Sequence, residues 1–401
     1  MRALYVLDFL LGDNAPSQRV RAIAKLLNLA GYSVDFLCVG VRVASDDAAN
    51  PSSNVHICER LEFNKWQIIS KYKERVSWGR SIEHFYKIVN KINPDLILTY
   101  GIGFPLMRRI IDFSKQQGAV VVPDETDEFE VKFHGNLANY IDGLSRKRAR
   151  EELHPKAAGV IAISRYFKNK FNERGVPAFF LPSIVPEFDQ LSHLRTRRNS
   201  DDGICFVYAG SLGGGKDLIA PFLSAMRTLQ ESSSSCNVKL EIIGPTFDEI
   251  NSLCDFDIEA IHNVFIYGRQ SHEFVHTRLL SADFGLLLRK PELYAIAGFS
   301  TKFGECMSLG VPMFCNAVGG ADSELDNWVN GVVVADYNVN TLVDAISHVC
   351  NLDSSSLLQM RRAAREKAEQ LFNVDVYVNS FKIFLQGLHG MSEGNGRADN
   401  D

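Results

Sequence analysis

Apolar residues along this chain fall into two alternating patterns. Near-continuous apolar runs at 3–11, 33–39, 95–100, 119–122 and 159–163 read as parallel strands covered on both faces. Between them lie segments with apolar residues at helical spacing. Val20, Ile23, Ala24 and Leu27 mark a helix over 18–30, with Gly31 as its C-terminal cap. A helix over 107–117 ends at Gly118, and Ser164 is placed to cap another. The alternation breaks over 182–203, where Pro182, Pro186, Arg195, Arg197 and Arg198 read as a linker. It restarts with strands at 204–209, 238–243, 264–267, 284–288, 311–316 and 332–335. Two serial runs of this kind predict an α/β protein of two Rossmann-like, doubly wound domains. The expected boundaries are 1–185, a linker at 186–203, and 204–372. A helix over 373–390 is expected to cross back to the first domain. Residues 391–401, polar and rich in Gly, Asn and Asp, read as a disordered tail.

Composition narrows the class. The chain has 401 residues, 46% hydrophobic and 23% charged, an ordinary globular balance that excludes a disordered or fibrous protein. Lys and Arg number 43 against 48 Asp and Glu, a net charge of −5, which disfavours a nucleic-acid binder. The first apolar run is interrupted by Asp8 and is too short for a membrane span, and no stretch approaches the roughly 20 apolar residues one needs. A cytoplasmic protein is expected, with at most peripheral contact at the inner membrane face. Its eight cysteines are scattered without a C-x-x-C pair and read as reduced, mostly buried residues, with no metal cluster.

In open α/β sheets ligands bind where strand ends run into helix N-termini. Gly210-Ser211-Leu212-Gly213-Gly214-Gly215-Lys216 is such a loop. Its backbone amides and Lys216 suit a phosphate, although Asp217 excludes a Walker A motif, and a plain flexible turn is the alternative. The stretch from Gly298 to Pro312 runs from a polar loop into a short helix. Thr301, Lys302 and the helix N-terminus suit a diphosphate. Glu305 reads as a first-turn acid that either accepts two ribose hydroxyls or merely complements the helix dipole.

Ser300-Thr301-Lys302-Phe303-Gly304-Glu305-Cys306-Met307-Ser308-Leu309-Gly310-Val311-Pro312 resembles the donor-binding segment of GT-B glycosyltransferases, especially the large retaining group called family 4. The likeness extends to Gly319-Gly320, Glu324 and Asn330-Gly331, back to Gly210 and Lys216, and to Gly159–Ser164 at the end of the first domain. It departs from the family at Ala297, where a first glutamate often stands, and at Ser211, where an arginine does. Arg289 is the expected replacement for that charge. The resemblance implies two domains facing across a cleft. It implies transfer of a sugar from a nucleotide-sugar donor, with retention and without an essential metal or other cofactor. Gly12, Gly210, Lys216, Arg289, Thr301, Lys302 and Glu305 would hold the donor.

The resemblance also implies that the first domain takes the acceptor, a saccharide or lipid-linked molecule, with surface polysaccharide biosynthesis as the setting. Asp124 and Asp127, in the acidic string after strand 119–122, and nearby His134 are the catalytic candidates, with a solvated acidic loop as the alternative. The string D-E-T-D lacks the D-x-D of a metal site. Two basic runs, Lys65 to Lys91 with interleaved aromatics and Arg146 to Arg150, suit an anionic membrane or a lipid phosphate, or else are solvated helix faces. Two other functions compete: a GT-B sugar-nucleotide epimerase, and a degenerate GT-B scaffold subunit.

Overall fold

The first apolar run forms strand β1 (Arg2–Leu7) and stops just before Asp8, a carboxylate that leaves the sheet to meet Arg146. The computed structural model describes residues 1–12, 14–41, 54–59, 79–128, 131, 133, 136–185, 203–212, 215–232 and 236–398. Helix α1 (Ala15–Leu29) follows, capped by the Asn14 side chain, which accepts from the Ser17 N–H. Strand β2 (Ser33–Val41) comes next, then β3 (Val55–Glu59), which apolar patterning alone does not pick out. Helix α2 (Gly79–Ile92) lies in the first basic run, and its face of Phe85, Ile88, Val89 and Ile92 is core. Lys65 to Arg75 lie outside the described residues.

The unit continues through β4 (Leu96–Tyr100), α3 (Phe104–Gln117), β5 (Val120–Glu125), α4 (Leu137–Glu152), β6 (Val160–Ala162), α5 (Arg165–Asn172) and β7 (Ala178–Phe180). Gly118 caps α3 at φ +75°, and Ser164 caps α5, as the sequence predicts. Among the described residues these strands form one sheet in the order β3-β2-β1-β4-β5-β6-β7, every pair parallel. The order reverses between β1 and β4, which is the topological switch point where a doubly wound sheet opens a crevice at its carboxyl end.

Residues Ser183–Asn373 form a second unit, and Val374–Asp401 group again with Met1–Pro182. The second unit contains β8 (Ile204–Ala209), α6 (Ala220–Glu231), β9 (Val238–Ile243), α7 (Phe247–Asn251), β10 (Val264–Ile266), α8 (His272–Ser281), β11 (Phe284–Leu287), α9 (Leu293–Ala297), α10 (Thr301–Ser308), β12 (Met313–Asn316), α11 (Ala321–Glu324), β13 (Gly331–Val334), α12 (Val339–Cys350) and α13 (Ser354–Leu371). Its parallel sheet has the order β10-β9-β8-β11-β12-β13, so its switch point lies between β8 and β11. Phe206, Phe222, Phe284 and Phe314 pack edge-on and stacked at its centre.

The last helix, α14 (Val378–Ala398), packs within the first unit through Phe381, Leu385 and Leu388, spaced to share one face. Phe179 on β7 meets Phe381 and Phe384. Gly159 admits this seam: a Cβ there would lie 3.0 Å from both Leu388 and Phe384. The helix runs to Ala398, into the stretch that composition reads as disordered. Polar composition shows that a segment has no core to bury, but it does not stop a helix already nucleated by packing upstream. No described helix is long and apolar enough to cross a membrane.

Candidate functional site

The switch point of the second sheet carries a dense cluster of polar side chains. Leaving β8, the chain turns at Gly210 and reaches Asp217, which pairs backbone to backbone with Arg289 just past β11. The next residue fixes the same junction, since the Leu218 N–H donates to the Leu288 carbonyl at 2.8 Å. Asn316, the last residue of β12, clamps Arg289 from the other side. Its Oδ1 accepts from the Arg289 N–H at 2.9 Å and its Nδ2 donates to the Arg289 carbonyl at 2.7 Å. Three neighbouring strand ends thus position one arginine.

Asp217 is buried and gathers the cluster. Arg289 Nε donates to one carboxylate oxygen at 2.7 Å and Lys302 Nζ to the other at 2.7 Å. The Tyr208 hydroxyl lies 2.9 Å from Asp217 and 2.7 Å from the Ser211 carbonyl. Burial raises the Asp217 pKa, but attraction and hydrogen bonds from Lys302 and Arg289 outweigh it and hold the carboxyl below its usual range. Burial, reinforced by the same carboxylate, pushes the Tyr208 phenol up. Lys216 stands beside the cluster, its Nζ 5.4 Å above the Tyr294 ring. The Tyr294 hydroxyl donates to the Lys216 carbonyl at 2.9 Å.

The structure therefore brings Gly210, Lys216, Arg289 and Lys302 together. Asp217 joins them, although in the sequence it counts only against a Walker A motif. Gly213 and Gly214, in the same loop, lie outside the described residues. Thr301 is the first residue of α10, after Ser300, whose side chain makes no capping bond. Glu305 is the fifth residue of that helix, not a member of its first turn, which holds no acid. The first-turn dipole account of Glu305 therefore falls, because the field is concentrated in the first turn. The Glu305 side chain is solvent-exposed in a recess where crowding protein raises its carboxyl pKa, opposed by Lys302 and His272. Gly304 lets α10 pack closely: a Cβ there would lie 3.0 Å from the Ser183 carbonyl.

Gly12, the remaining donor candidate, is in the first unit. Its N–H donates to Ser17 Oγ at 3.0 Å and its carbonyl accepts from Arg21 at 2.7 Å. Both backbone groups are occupied, and a Cβ there would meet nothing, so no close approach demands glycine.

In the first unit a cavity of about 370 Å³ opens at the ends of β4 and β5 against α4. Asp124 does not serve it as the sequence suggests. Arg19 Nε and Nη2 grip both its carboxylate oxygens, Tyr5 donates to Oδ2 at 2.9 Å, and the side chain is fully buried. Arg19 also donates to the Leu181 and Pro182 carbonyls. This network ties β1, α1 and β5 to the end of the unit, and it makes Asp124 an anchor rather than a reacting group. Asp127 does line the cavity, and its backbone carbonyl accepts from Arg150. His134 lies outside the described residues.

A second cluster stands on this cavity wall, one that no motif in the sequence marks. Glu125, almost wholly buried, accepts from His154 Nδ1 on one oxygen and from Arg150 Nε at 2.8 Å on the other. Burial raises the Glu125 pKa, but His154 and Arg150 overcome it and bring it down to about 2. The only sequence signal is a histidine set before Pro155 at the end of an amphipathic helix. Arg146 pairs with Asp8 at 2.6 Å and Asp142 at 2.8 Å. Lys147 faces Glu151 at 3.9 Å, and Arg148 bonds Glu152 at 2.8 Å. Each cation of the second basic run thus has a carboxylate partner inside the unit, which weakens the case for it as a membrane-docking patch. None of the eight cysteines is joined in a disulfide, and no described group of His, Cys, Asp and Glu has metal-site geometry.

Over nearly its whole length the chain is similar in fold to sucrose-phosphate synthase from Thermosynechococcus elongatus, at 16% identity, with 98% of this chain and 100% of that chain covered and a TM-score of 0.70. It is similar to a glycosyltransferase from Rickettsia africae at 13% identity, covering 96% and 98%, TM-score 0.67. It is also similar to the Anabaena protein HepE, solved with UDP, at 15% identity, covering 96% and 100%, TM-score 0.66. No curated protein matches the sequence. The two doubly wound units are those of the GT-B fold. Residues 194–370, which include the whole Asp217 cluster, match the family model described as glycosyl transferases group 1.

Proposed function

We propose that the protein transfers a sugar from a nucleotide-sugar to a hydroxyl acceptor, the second unit binding the donor and the first the acceptor. The observation that carries this reading is the convergence of Lys302 and Arg289, each 2.7 Å from Asp217, at the switch point of the second sheet. Two cations held by a carboxylate at strand ends are a prepared anion site. A donor diphosphate displaces Asp217 from part of its contacts and takes the same positive charge, with Lys216 and the N-terminus of α10 at Thr301 alongside. Glu305 accepts the two ribose hydroxyls. HepE has been solved with UDP, which supports a nucleoside diphosphate as the ligand class.

In the reaction, the bond between the anomeric carbon and the diphosphate oxygen breaks, and its electron pair stays on the diphosphate. An acceptor oxygen bonds the anomeric carbon and releases its proton to an oxygen of the departing phosphate. Lys302 and Arg289 stabilise the negative charge that develops there, so the chain itself supplies the electrostatics of leaving-group departure. Transfer goes with retention and needs no divalent metal, and a surface saccharide is the class of product.

The test is thermal shift against UDP, GDP, ADP and CMP, followed by transfer assays in EDTA. A nucleotide at 100 times its dissociation constant should stabilise the chain by about 2.7 kcal/mol. Lys302→Ala should lower kcat/KM by roughly 10- to 150-fold, the loss of one charge-assisted phosphate contact. Wild-type kinetics in Lys302→Ala removes the phosphate assignment, and a dependence on added Mg²⁺ or Mn²⁺ removes the metal-free scheme.

A further inference from the structure

Asp217 is a fixed negative charge inside a cluster of cations. Its chain is pinned at two points: Asp217 pairs backbone to backbone with Arg289, and the Leu218 N–H donates to the Leu288 carbonyl at 2.8 Å. The buried carboxylate also faces the hydroxyl of Tyr208, itself buried on β8, which lies 2.9 Å from the oxygen that holds Lys302. The carboxylate therefore cannot swing into solvent when another anion arrives. Nor does it exhaust its cations. An ammonium has three donors and a guanidinium five, and Asp217 takes one from each at 2.7 Å. A phosphate bonded to the remaining donors shares the site with Asp217 and does not expel it. Any phosphate oxygen bonded to Lys302 Nζ lies within about 6 Å of the Asp217 carboxylate.

This arrangement weighs ligands by charge. Lys216, Arg289 and Lys302 supply positive charge, and Asp217 subtracts from it. A nucleoside diphosphate joined to a sugar carries one negative charge on each phosphate. When the sugar leaves, the terminal phosphate keeps the electron pair of the broken bond. It takes up the acceptor proton and, above its second pKa of about 6, passes that proton to water. The product then carries one negative charge more than the donor. A purely cationic site would hold this product more tightly than the donor and release it slowly. A resident carboxylate repels the added charge, and at about 6 Å that repulsion is worth roughly 10- to 100-fold in affinity.

We propose that Asp217 is the residue by which this site keeps the more highly charged nucleoside diphosphate product from outcompeting the nucleotide-sugar donor, and so lets the product go. This rests on the transferase reading above and assigns the regulation of its donor site. Asp217 acts through its charge, from a position that the paired backbone and Tyr208 hold constant.

The experiment measures binding of UDP and of its terminal-phosphate methyl ester to the full chain at pH 8, well above the phosphate pKa of about 6. The two probes share base, ribose and both phosphates and differ by one charge, and the GDP and ADP pairs are run beside them. Wild type should bind UDP no more than about threefold tighter than the ester, despite the extra charge. In Asp217→Asn, which keeps the shape of the side chain, the preference for UDP over the ester should rise roughly 10- to 100-fold, and UDP should dissociate more slowly by a similar factor in stopped flow. The wild-type comparison decides the matter by itself if the variant fails to fold. A stronger wild-type preference for the diphosphate overturns the proposal, and so does an unchanged preference in Asp217→Asn. Either result leaves the transferase reading standing. If wild type binds no member of the three pairs, the nucleotide-donor reading falls and this proposal falls with it.

Discussion

Lys302 reaches Asp217 by crossing the open face of Gly210. A Cβ at residue 210 would lie 2.2 Å from Lys302 Cε, and the backbone there has φ +143°. The ion pair and the glycine are one device, since the lysine occupies the space a side chain would take.

Gly210→Ala therefore meets both a steric and a conformational obstacle. Lys302 must leave its path, and the backbone must accept a strained φ that costs on the order of 1–3 kcal/mol. The variant should lose stability by about that amount in urea unfolding, and its nucleotide affinity should fall. A nucleotide dissociation constant equal to wild type would show that Lys302 does not hold the phosphates from this position.

Asp217→Asn separates the resident anion from the incoming one. Removing one partner of a buried charge cluster should destabilise the unliganded protein by up to about 3–5 kcal/mol, because Lys302 and Arg289 lose their counter-charge. A bound diphosphate restores it. The rise in melting temperature on adding UDP should thus be larger in the variant than in wild type. An equal or smaller rise would mean that the diphosphate does not share the cations with Asp217.

Glu305→Gln tests the ribose assignment. A carboxylate accepts two hydroxyl hydrogen bonds, and a glutamine reproduces only one side of that pair. The variant should weaken UDP and the intact donor equally, with little effect on unfolding, because Glu305 is exposed at the fifth position of α10. If a 2′,3′-dideoxy nucleotide binds wild type as well as the natural one does, Glu305 does not read the ribose.

Two carboxyls of the first unit give opposite pH dependences. Burial, with Asp142 nearby, raises Asp8 from 3.8 to about 6 despite Arg146. The folded state then holds a proton that the unfolded chain has lost, so this contribution to stability falls as pH rises from about 4 to about 6, by about 3 kcal/mol at most. Glu125 is lowered from 4.5 to about 2. Its contribution is complete above about 4.5 and is lost as pH falls toward 2, again by about 3 kcal/mol at most. Urea midpoints measured from pH 3 to 8 should show a shallower loss toward acid in Glu125→Gln. In Asp8→Asn the fall between pH 4 and 6 should disappear. Parallel pH profiles for both variants and wild type would refute these shifts.

Local chemistry in the sequence carries the two β–α alternations, the capping residues Ser164 and Gly118, and the loops in which Gly210, Lys216, Arg289 and Lys302 stand. Periodicity and backbone preference act within a few residues of themselves, so one sequence is enough to read them. It also carries the candidate donor segment, because a helix start with Thr301, Lys302 and a glutamate one turn on is a contiguous pattern. What partners those groups find is not contiguous. Asp217 meets Arg289 across 72 positions and Lys302 across 85. Asp124, a plausible reacting group in its acidic string, is instead spent on Arg19, 105 residues away. His154 carries no motif and is oriented by Glu125, 29 positions earlier. Ionic and hydrogen-bonding groups are indifferent to chain distance, and strand order decides which of them share a sheet end. The elements and their polar loops were thus set by the sequence alone, whereas the division of these carboxylates into anchors and counter-ions was decided only when the parallel sheets closed.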